Sequence, residues 1–245
     1  MEKRIAVVTG AARGIGRAIA EALLRDGLLV VGVDLNEAVL KATAAELGAD
    51  FVPLVADLTD VEAITAVFAH VRQAYGGLDA LVNNAGTCFM NDFVDITPEE
   101  FSQQMAINFD AAFYCCQQAV PLMLPRAGVK KIVNISSNGA YNFDVFDPAH
   151  YRASKAALDT LTKHLARQYA TDKIAVNSIA PAMTRTDLFD VVSPDVLAQA
   201  IAGMPHGEPM QPAQVAAWVA FLISAAGDVA SGNVILLNQG RDVRS

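Results

Sequence analysis

Short apolar runs rich in β-branched residues alternate along the chain with longer stretches in which apolar residues recur every three or four positions. The short runs are continuously apolar, as is typical of strands buried on both faces. Strands that alternate with helices in this way indicate βαβ units and a parallel sheet covered by helices on both sides. The predicted strands are 4–9, 28–34, 51–55, 78–83, 129–135, 174–180 and 233–237.

The stretches of helical period predict six helices between these strands. The helix starting at Pro98 has the clearest beginning, because Thr97 is a good cap, proline suits the first turn and two acids follow. Two segments, 137–148 and 181–210, lack the pattern, and we expect irregular loops that form walls of a site. The predicted helices are 14–26, 36–47, 60–75, 98–124, 149–170 and 211–224.

The domain organisation follows from the uninterrupted alternation. The 245 residues contain no internal repeat, low-complexity tract or linker. We therefore expect one α/β domain over residues 1–245, with a doubly wound, seven-stranded parallel sheet of the Rossmann type.

Composition excludes several classes of protein. With 53% hydrophobic and 18% charged residues the chain is too apolar to be disordered. A net charge of −8 without a basic run argues against nucleic acid as a partner. No apolar signal region precedes the first strand and no apolar run is long enough to span a bilayer, so we expect a cytoplasmic protein without membrane contact. The three cysteines form no C-x-x-C pair, and we expect neither disulfides nor a metal site.

A glycine-rich turn follows the first predicted strand. Residues 9–16 read Thr-Gly-Ala-Ala-Arg-Gly-Ile-Gly and lead into a helix-forming segment. Gly10, Gly14 and Gly16 permit a tight turn and close backbone approach, so that a pyrophosphate can lie at the helix N-terminus. The alternative is that the glycines only allow the helix to pack against the strand.

The residue that ends the second strand bears on the choice of cofactor. A carboxylate at Asp34 can accept hydrogen bonds from both adenosine ribose hydroxyls and repels a 2′-phosphate. Arg13, within the glycine turn, opposes this reading because a cation there can serve that phosphate, or it can point into water. We expect NAD, with NADP the weaker alternative. Asp57, at the end of the third strand, either holds the adenine amino group or caps the next helix.

Polar residues follow the later strands at the edge where open α/β sheets bind ligands. Tyr151 and Lys155 are one helical turn apart, so both project from one face of the predicted helix 149–170. This pair follows Ser136 and Ser137 at the end of a strand, while Asn108 interrupts a long apolar helix.

In this order and spacing the chain resembles the short-chain dehydrogenase/reductase family, in its compact type, over nearly its whole length. The resemblance rests on the glycine turn, Asp57, Asn-Asn-Ala-Gly at 83–86, Asn108, Ser-Ser at 136–137, Tyr-x-x-x-Lys at 151–155, Asn177, Pro181 and Thr186.

The resemblance implies an oxidoreductase whose catalytic residues are Asn108, Ser137, Tyr151 and Lys155. Tyr151 exchanges the proton with the substrate oxygen, Ser137 hydrogen-bonds that oxygen, Lys155 binds the nicotinamide ribose and favours tyrosinate, and Asn108 holds a water. Asn108 can also serve only to cap a helix irregularity. Besides the residues already named, the expected cofactor contacts are Ile15, Leu35, Leu58, Asn84, Ala85, Gly86, Pro181, Thr184 and Thr186.

Three features depart from the family pattern. Ser137 lies 14 residues before Tyr151, one more than expected, and we choose Ser137 over Ser136, which we expect to point into the packing. Pro181 is followed by Ala182 where the family has glycine, which implies a milder or strained turn. The sequence 238–240 reads Asn-Gln-Gly, and this puts the C-terminal turn in doubt.

Substrate contacts are expected from segments 87–94, 138–150 and 183–208, which combine aromatic and apolar residues with a few polar ones. The predicted contacts are Asn138, Phe143, His150, Met183 and Phe189. We expect a small-molecule secondary alcohol and its ketone as substrates, aromatic or alicyclic, or a polyol if Asp144 and Asp147 face inward.

Two other functions remain open. One is an NADPH-dependent 3-oxoacyl carrier-protein reductase, which Asp34 opposes and for which Arg126, Lys130 and Lys131 are the best support. The other is a non-catalytic dinucleotide-binding module, which retention of Ser, Tyr and Lys opposes. Small residues on helices near 100–120 and 150–170, together with the resemblance, predict a homotetramer or homodimer.

Overall fold

Seven strands lie side by side in one parallel sheet in the computed structural model, which describes residues 3–142, 147–186, 189 and 194–241. Every predicted strand forms, with starts shifted by at most two residues. The spatial order is β3-β2-β1-β4-β5-β6-β7. The strands are β1 Ile5–Thr9, β2 Leu29–Asp34, β3 Phe51–Val55, β4 Ala80–Asn83, β5 Lys130–Ile135, β6 Ile174–Pro181 and β7 Val234–Leu237.

Helices cover both faces of the sheet because the central strands are apolar on both sides. Ile19 and Leu23 of one helix pack with Val219 of another in one cluster, whereas Phe68 and Cys115 belong to a second cluster on the opposite face. The helices are α1 Gly14–Arg25, α2 Glu37–Leu47, α3 Val61–Tyr75, α4 Pro98–Met105, α5 Ala111–Met123, α6 Ala149–Gln168, α7 Pro194–Ala202 and α8 Pro212–Ile223.

The single helix predicted over 98–124 is wrong in one respect. It begins as expected, with the Thr97 hydroxyl accepting from the Glu100 amide at 3.1 Å, but a π-helical turn, Ala106–Asp110, separates α4 from α5. One wider turn lets Asn108 reach a neighbouring loop, a distortion frequent at functional sites.

The irregular loop expected over 181–210 is also wrong in part, since α7 occupies Pro194–Ala202. None of its described side chains is buried, although Val196, Leu197, Ala200 and Ile201 follow a helical spacing. Proline at its first position and Asp195 in its first turn are the remaining signals of its start.

The order of the strands reverses between β1 and β4, which are hydrogen-bonded neighbours. The chain runs outward in opposite directions from these two strands, so the loops at their carboxyl ends separate and leave a crevice. The residues predicted to carry the chemistry follow β1, β4, β5 and β6, and they therefore meet at this crevice. Among the described helices, none is both long and apolar enough to cross a membrane.

Candidate active site

A cleft of about 780 Å³ runs along the carboxyl ends of the strands. It brings together nearly all the residues that the sequence predicts for cofactor binding. These are Gly10, Arg13, Gly14, Ile15, Asp34, Leu35, Asp57, Leu58, Asn84, Ala85, Gly86, Tyr151, Lys155, Pro181, Thr184 and Thr186.

Gly16 is the exception, because it lies behind the cleft lining and supports the turn from within. A Cβ atom at this position would lie 2.0 Å from the Gly10 carbonyl oxygen and 2.5 Å from Asn84 Nδ2. Asn84 holds the same turn by donating to the carbonyls of Thr9 and Gly10 at 3.0 and 3.1 Å. The absence of a side chain at Gly16 thus lets α1 start directly against the turn.

The first turn of α1 is suited to an anion. Arg13 at the N-cap position makes no capping hydrogen bond with its side chain, and the first turn contains no acid. In contrast, Asn36 caps α2 and Asp60 caps α3 with their side chains. The first amides of α1 therefore face the cleft without an internal acceptor, as a bound pyrophosphate requires.

Asp34 ends β2 with its carboxylate at the glycine turn. Its Oδ2 accepts from the Ala12 amide and its Oδ1 from the Asn36 amide, both at 3.0 Å. Each carboxylate oxygen has a second lone pair, so the group remains able to accept hydrogen bonds from ribose hydroxyls. Arg13 lines the same end of the cleft with an exposed side chain.

Asp57 does not cap the following helix, which corrects the alternative considered above. Asp60 is the cap of α3, accepting from the Glu62 amide at 2.9 Å. Asp57 instead accepts from the amide and hydroxyl of Thr59 at 2.9 and 2.7 Å, and its exposed carboxylate borders the cleft.

Tyr151, Ser137 and Lys155 converge in the middle of the cleft. Burial and the charge of Asp147 raise the pKa of the Tyr151 phenol well above its usual value, while hydrogen bonding from Ser137 lowers it. Lys155 Nζ lies 5.9 Å from the centre of the Tyr151 ring and donates to the Ile135 carbonyl at 2.9 Å. Burial lowers the pKa of Lys155 to about 8, against the opposing effect of Asp159.

The two adjacent serines have different surroundings. Ser136 Oγ donates to Oδ2 of Asp159, on α6, at 2.9 Å, and Ser136 itself is buried. Ser137 Oγ accepts from the Gly139 amide at 3.0 Å at the start of a 3₁₀ turn and lies on the Tyr151 side of the strand end. Only Ser137 is thus placed beside the phenol.

Asn108 lies on the π-helical turn and clamps the loop after β4. Its Oδ1 accepts from the Thr87 amide at 2.8 Å, and its Nδ2 donates to the Thr87 carbonyl at 3.0 Å and to Ser154 Oγ at 3.1 Å. Its side-chain oxygen and Lys155 Nζ both approach Gly86, where a Cβ would lie 3.2 and 3.4 Å from them. The clamp therefore shapes the space beside Lys155.

The predicted substrate contacts divide into three groups. Asn138, Met183 and Phe189 line the cleft. His150 does not, because one residue along α6 from Tyr151 turns the side chain by about 100°; it is buried against α4, with Nε2 3.0 Å from Glu100 Oε1. Phe143 lies outside the described residues, as does Asp144.

Several lining residues escaped the sequence analysis. Leu197 and Met204 come from α7 and the turn after it, within the segment 183–208 from which substrate contacts were expected, but neither was named individually. Ile107 lies on the π-helical turn and Arg241 beyond β7. Among the described lining residues, Gln103, Ile107 and Arg241 lie outside the segments expected to contact substrate, whereas Cys88, Met90, Gly139, Asp147, Leu197 and Met204 lie within them.

The structure explains the two departures from the family pattern that lie at turns, one at Ala182 and the other at residues 238–240. In the described chain only Lys173 and Gln239 are non-glycine residues with positive φ, so Ala182 follows β6 in an ordinary conformation and needs no glycine. Gln239 adopts φ 58°, and its side chain accepts from the His206 amide at 3.0 Å and donates to the Glu208 carbonyl at 3.1 Å. These bonds fix the C-terminal turn.

Comparison with known proteins assigns the chain to a family. Residues 10–242 match the family model described as enoyl-(acyl carrier protein) reductase. The 3-oxoacyl-[acyl-carrier-protein] reductase FabG of Vibrio harveyi is 33% identical over 242 residues, 98% of each chain. The chain belongs to the short-chain dehydrogenase/reductase family. It is accordingly an oxidoreductase, and members of this family bind nicotinamide dinucleotides.

Other members of the short-chain dehydrogenase/reductase family differ in what their names say they act on. A 3beta-hydroxysteroid dehydrogenase of Mediterraneibacter gnavus is 38% identical over 200 residues, 80% of this chain and 71% of that protein. A solved glucose/ribitol dehydrogenase from Brucella melitensis has a TM-score of 0.92 at 30% identity, covering 100% of this chain and 98% of that one.

Two further solved members of the short-chain dehydrogenase/reductase family carry different cofactors. A 3-ketoacyl-(acyl-carrier-protein) reductase from Brucella melitensis complexed with NADH has a TM-score of 0.92 at 25% identity, covering 99% of both chains. The RhlG/NADP complex from Pseudomonas aeruginosa has a TM-score of 0.92 at 30% identity, covering 98% of this chain and 97% of that one. Overall similarity therefore leaves the choice between the two dinucleotides to individual residues of this chain.

Proposed function

We propose that this protein is an NAD-dependent dehydrogenase that interconverts a small secondary alcohol and its ketone. The observation that carries the proposal is the convergence of Ser137, Tyr151 and Lys155 beside a cleft whose far end carries Asp34. The residues fit a dinucleotide: the uncapped start of α1 suits its pyrophosphate, and the Asp34 carboxylate suits an unphosphorylated ribose.

The chemistry follows from the groups that surround the reacting carbon. NAD bound in the cleft supplies the acceptor for the hydride that leaves this carbon, so the alcohol is oxidised as the dinucleotide is reduced. The O–H bond breaks at the same time, and Tyr151 Oη takes the proton as general base. In the reverse direction the Tyr151 phenol donates that proton to the ketone oxygen.

Neighbouring groups set the protonation state of Tyr151. Burial keeps the phenol neutral at neutral pH, the form that donates a proton to a ketone. Oxidation needs the phenolate, and Ser137 and the Lys155 ammonium favour it by a hydrogen bond and by charge. The rate of alcohol oxidation should therefore rise with pH, whereas the rate of ketone reduction should fall.

The second candidate is a 3-oxoacyl carrier-protein reductase, which the 33% identity to FabG favours. The basic residues that would recognise an acidic carrier protein are engaged elsewhere, at the end of β5 opposite the cleft. Arg126 is paired with Asp79 at 2.9 Å, Lys131 is paired with Asp228 at 2.7 Å, and Lys130 donates to three carbonyls. We therefore rank this function second.

The first test is a titration of the purified protein with NADH and with NADPH. We expect NADH to bind at least about tenfold tighter, equivalent to about 1.4 kcal/mol, and Asp34→Ala to remove this preference. Tyr151→Phe should retain NADH binding and lose turnover. Tighter binding of NADPH would place the reductase first, and full turnover by Tyr151→Phe would remove Tyr151 from the mechanism.

A further inference from the structure

One carboxylate borders the reacting centre, and the proposed mechanism does not use it. Among the described lining residues three are acidic: Asp34 ends β2, Asp57 follows β3, and Asp147 lies four residues before Tyr151. The neighbours of Asp147 include Ser137 and Arg152. Many other lining residues of the cleft are apolar or contain sulfur, among them Cys88, Met90, Ile107, Met183, Phe189, Leu197 and Met204.

The backbone opposite Asp147 is shaped to accept its carboxylate. A Cβ at Gly139 would lie 2.0 Å from Asp147 Oδ2 and 3.2 Å from Ser137 Oγ. Any side chain at position 139 would therefore displace the carboxylate. The same geometry shows that Asp147 Oδ2 and Ser137 Oγ border one small space, next to the site of the reacting oxygen.

No described residue donates a hydrogen bond to the Asp147 carboxylate. Burial raises its pKa, and the charge of Arg152 opposes that effect. Arg152 donates to backbone carbonyls, among them those of Asp147 and Gly139, rather than to the carboxylate. Asp147 is half-buried and lines the open cleft, so its carboxylate can accept a hydrogen bond from a donor bound there.

We propose that Asp147 determines substrate specificity by accepting a hydrogen bond from a second hydroxyl group, on a carbon adjacent to the one that is oxidised. The inference rests on the proposed function and narrows its substrate class to vicinal diols and the corresponding α-hydroxy ketones. The placement of Asp147 beside Ser137 sets the short distance between the two oxygens of the substrate.

Charge favours a neutral donor over an ammonium group. Arg152 already acts on Asp147, and the Lys155 ammonium borders the same cleft, so an amino alcohol would meet two cations. A hydroxyl group satisfies the carboxylate without adding charge. Its hydrogen bond also disperses the negative charge that opposes the Tyr151 phenolate, so the second hydroxyl should speed oxidation as well as strengthen binding.

The kinetic test compares cyclohexanol with 1,2-cyclohexanediol, each isomer separately, using NAD and the full-length protein. We expect wild-type kcat/KM to favour one diol isomer by at least tenfold. Asp147→Leu should abolish that preference and leave NADH binding within about twofold, and it should not slow cyclohexanol oxidation, because the charge that opposes the Tyr151 phenolate is gone. Asp147→Asn, which keeps an acceptor oxygen, should retain part of the preference. Asp172→Asn, at an exposed acid after α6 and away from the cleft, is the matched control and should change nothing.

A binding test separates this inference from the proposed function. The NADH complex of Tyr151→Phe is titrated with cyclohexanone and with 2-hydroxycyclohexanone by calorimetry. Tighter binding of the hydroxy ketone that is lost on adding Asp147→Leu supports the role of Asp147, even if no alcohol is turned over with NAD, a result that would refute only the proposed function. Equal binding of the two ketones, no binding of either, or a diol preference that survives in Asp147→Leu overturns the inference.

Discussion

At the scale of single residues, neighbouring side chains with the same chemistry are separated by the direction in which the backbone points them. Successive side chains of an extended segment face opposite sides. Ser136 consequently lies against α6, bonded to Asp159, whereas Ser137 faces Tyr151. The sequence favoured Ser137 over Ser136, although the length of the loop before Tyr151 does not by itself fix which side of the strand each serine faces.

This difference predicts opposite phenotypes for two alanine variants. Ser137→Ala should lower kcat by about 10²- to 10³-fold, since it removes a hydrogen bond to the oxygen that gains charge, and should leave thermal stability nearly unchanged. Ser136→Ala should retain most of kcat but destabilise the fold by about 1 to 2 kcal/mol, because Asp159 loses a buried partner. Steady-state kinetics and urea unfolding check both, and an unimpaired Ser137→Ala would contradict the assignment.

Lys155, which is needed for the proposed reaction, should lower the free energy of unfolding of the protein without dinucleotide. Its pKa of about 8 lies below the usual 10.5, so the unfolded chain binds the proton more strongly and stability attributable to this group rises between pH 8 and 10.5. Lys155→Met should therefore raise the free energy of unfolding by about 1 to 2 kcal/mol at pH 7, after the lost bond to Ile135 is considered. The gain should shrink at pH 10.

Urea unfolding without dinucleotide measures this effect. Lys163→Met, at an exposed lysine on the same helix, is the control and should change stability by less than about 0.5 kcal/mol at either pH. A Lys155→Met variant that is less stable than wild type at pH 7 would show that the hydrogen bond to Ile135 outweighs the burial of charge.

At the scale of elements, the sequence predicted the strands and helices whose apolar residues are buried, and it missed the local distortion of a helix at the candidate site. The strands were found because β1 and its neighbours are apolar on both faces, and α4 because its first residues satisfy the free amides. The π-helical turn at Asn108 was missed because the spacing of apolar residues in the sequence does not show that one turn contains an extra residue. Helix α7 was missed because its nine residues form only a short helical pattern within 181–210, a segment that contains four prolines.

The start of α1 gives the sharpest test at this scale. Gly16→Ala would place a methyl group 2.0 Å from the Gly10 carbonyl oxygen, so α1 must move away from the turn that receives the pyrophosphate. We expect at least 100-fold weaker NADH binding and a loss of about 2 to 4 kcal/mol of stability. Gly203→Ala, where the nearest atom is a flexible Arg241 nitrogen at 3.4 Å, should leave both within about twofold and 0.5 kcal/mol.

At the scale of the whole molecule, large apolar side chains remain exposed on two separate surfaces. Phe101 and Phe113 project from α4 and α5, and Trp218 and Phe221 from α8. The cores beneath α5 and α8 are different clusters on opposite faces of the sheet. Exposed aromatic residues on the surface of a folded domain commonly mark subunit interfaces, and two such surfaces on one chain allow two independent twofold contacts.

Two independent twofold contacts generate a tetramer with three perpendicular axes. We expect light scattering at micromolar concentration to give four times the subunit mass of 25.9 kDa. Phe113→Glu and Trp218→Glu should each leave a dimer, by abolishing different interfaces, and the double variant should be monomeric. Ala45→Glu, the same charge change at an exposed position of α2, serves as the control for altered net charge. A wild-type protein that is monomeric under these conditions would show that neither surface is an interface between copies of this chain.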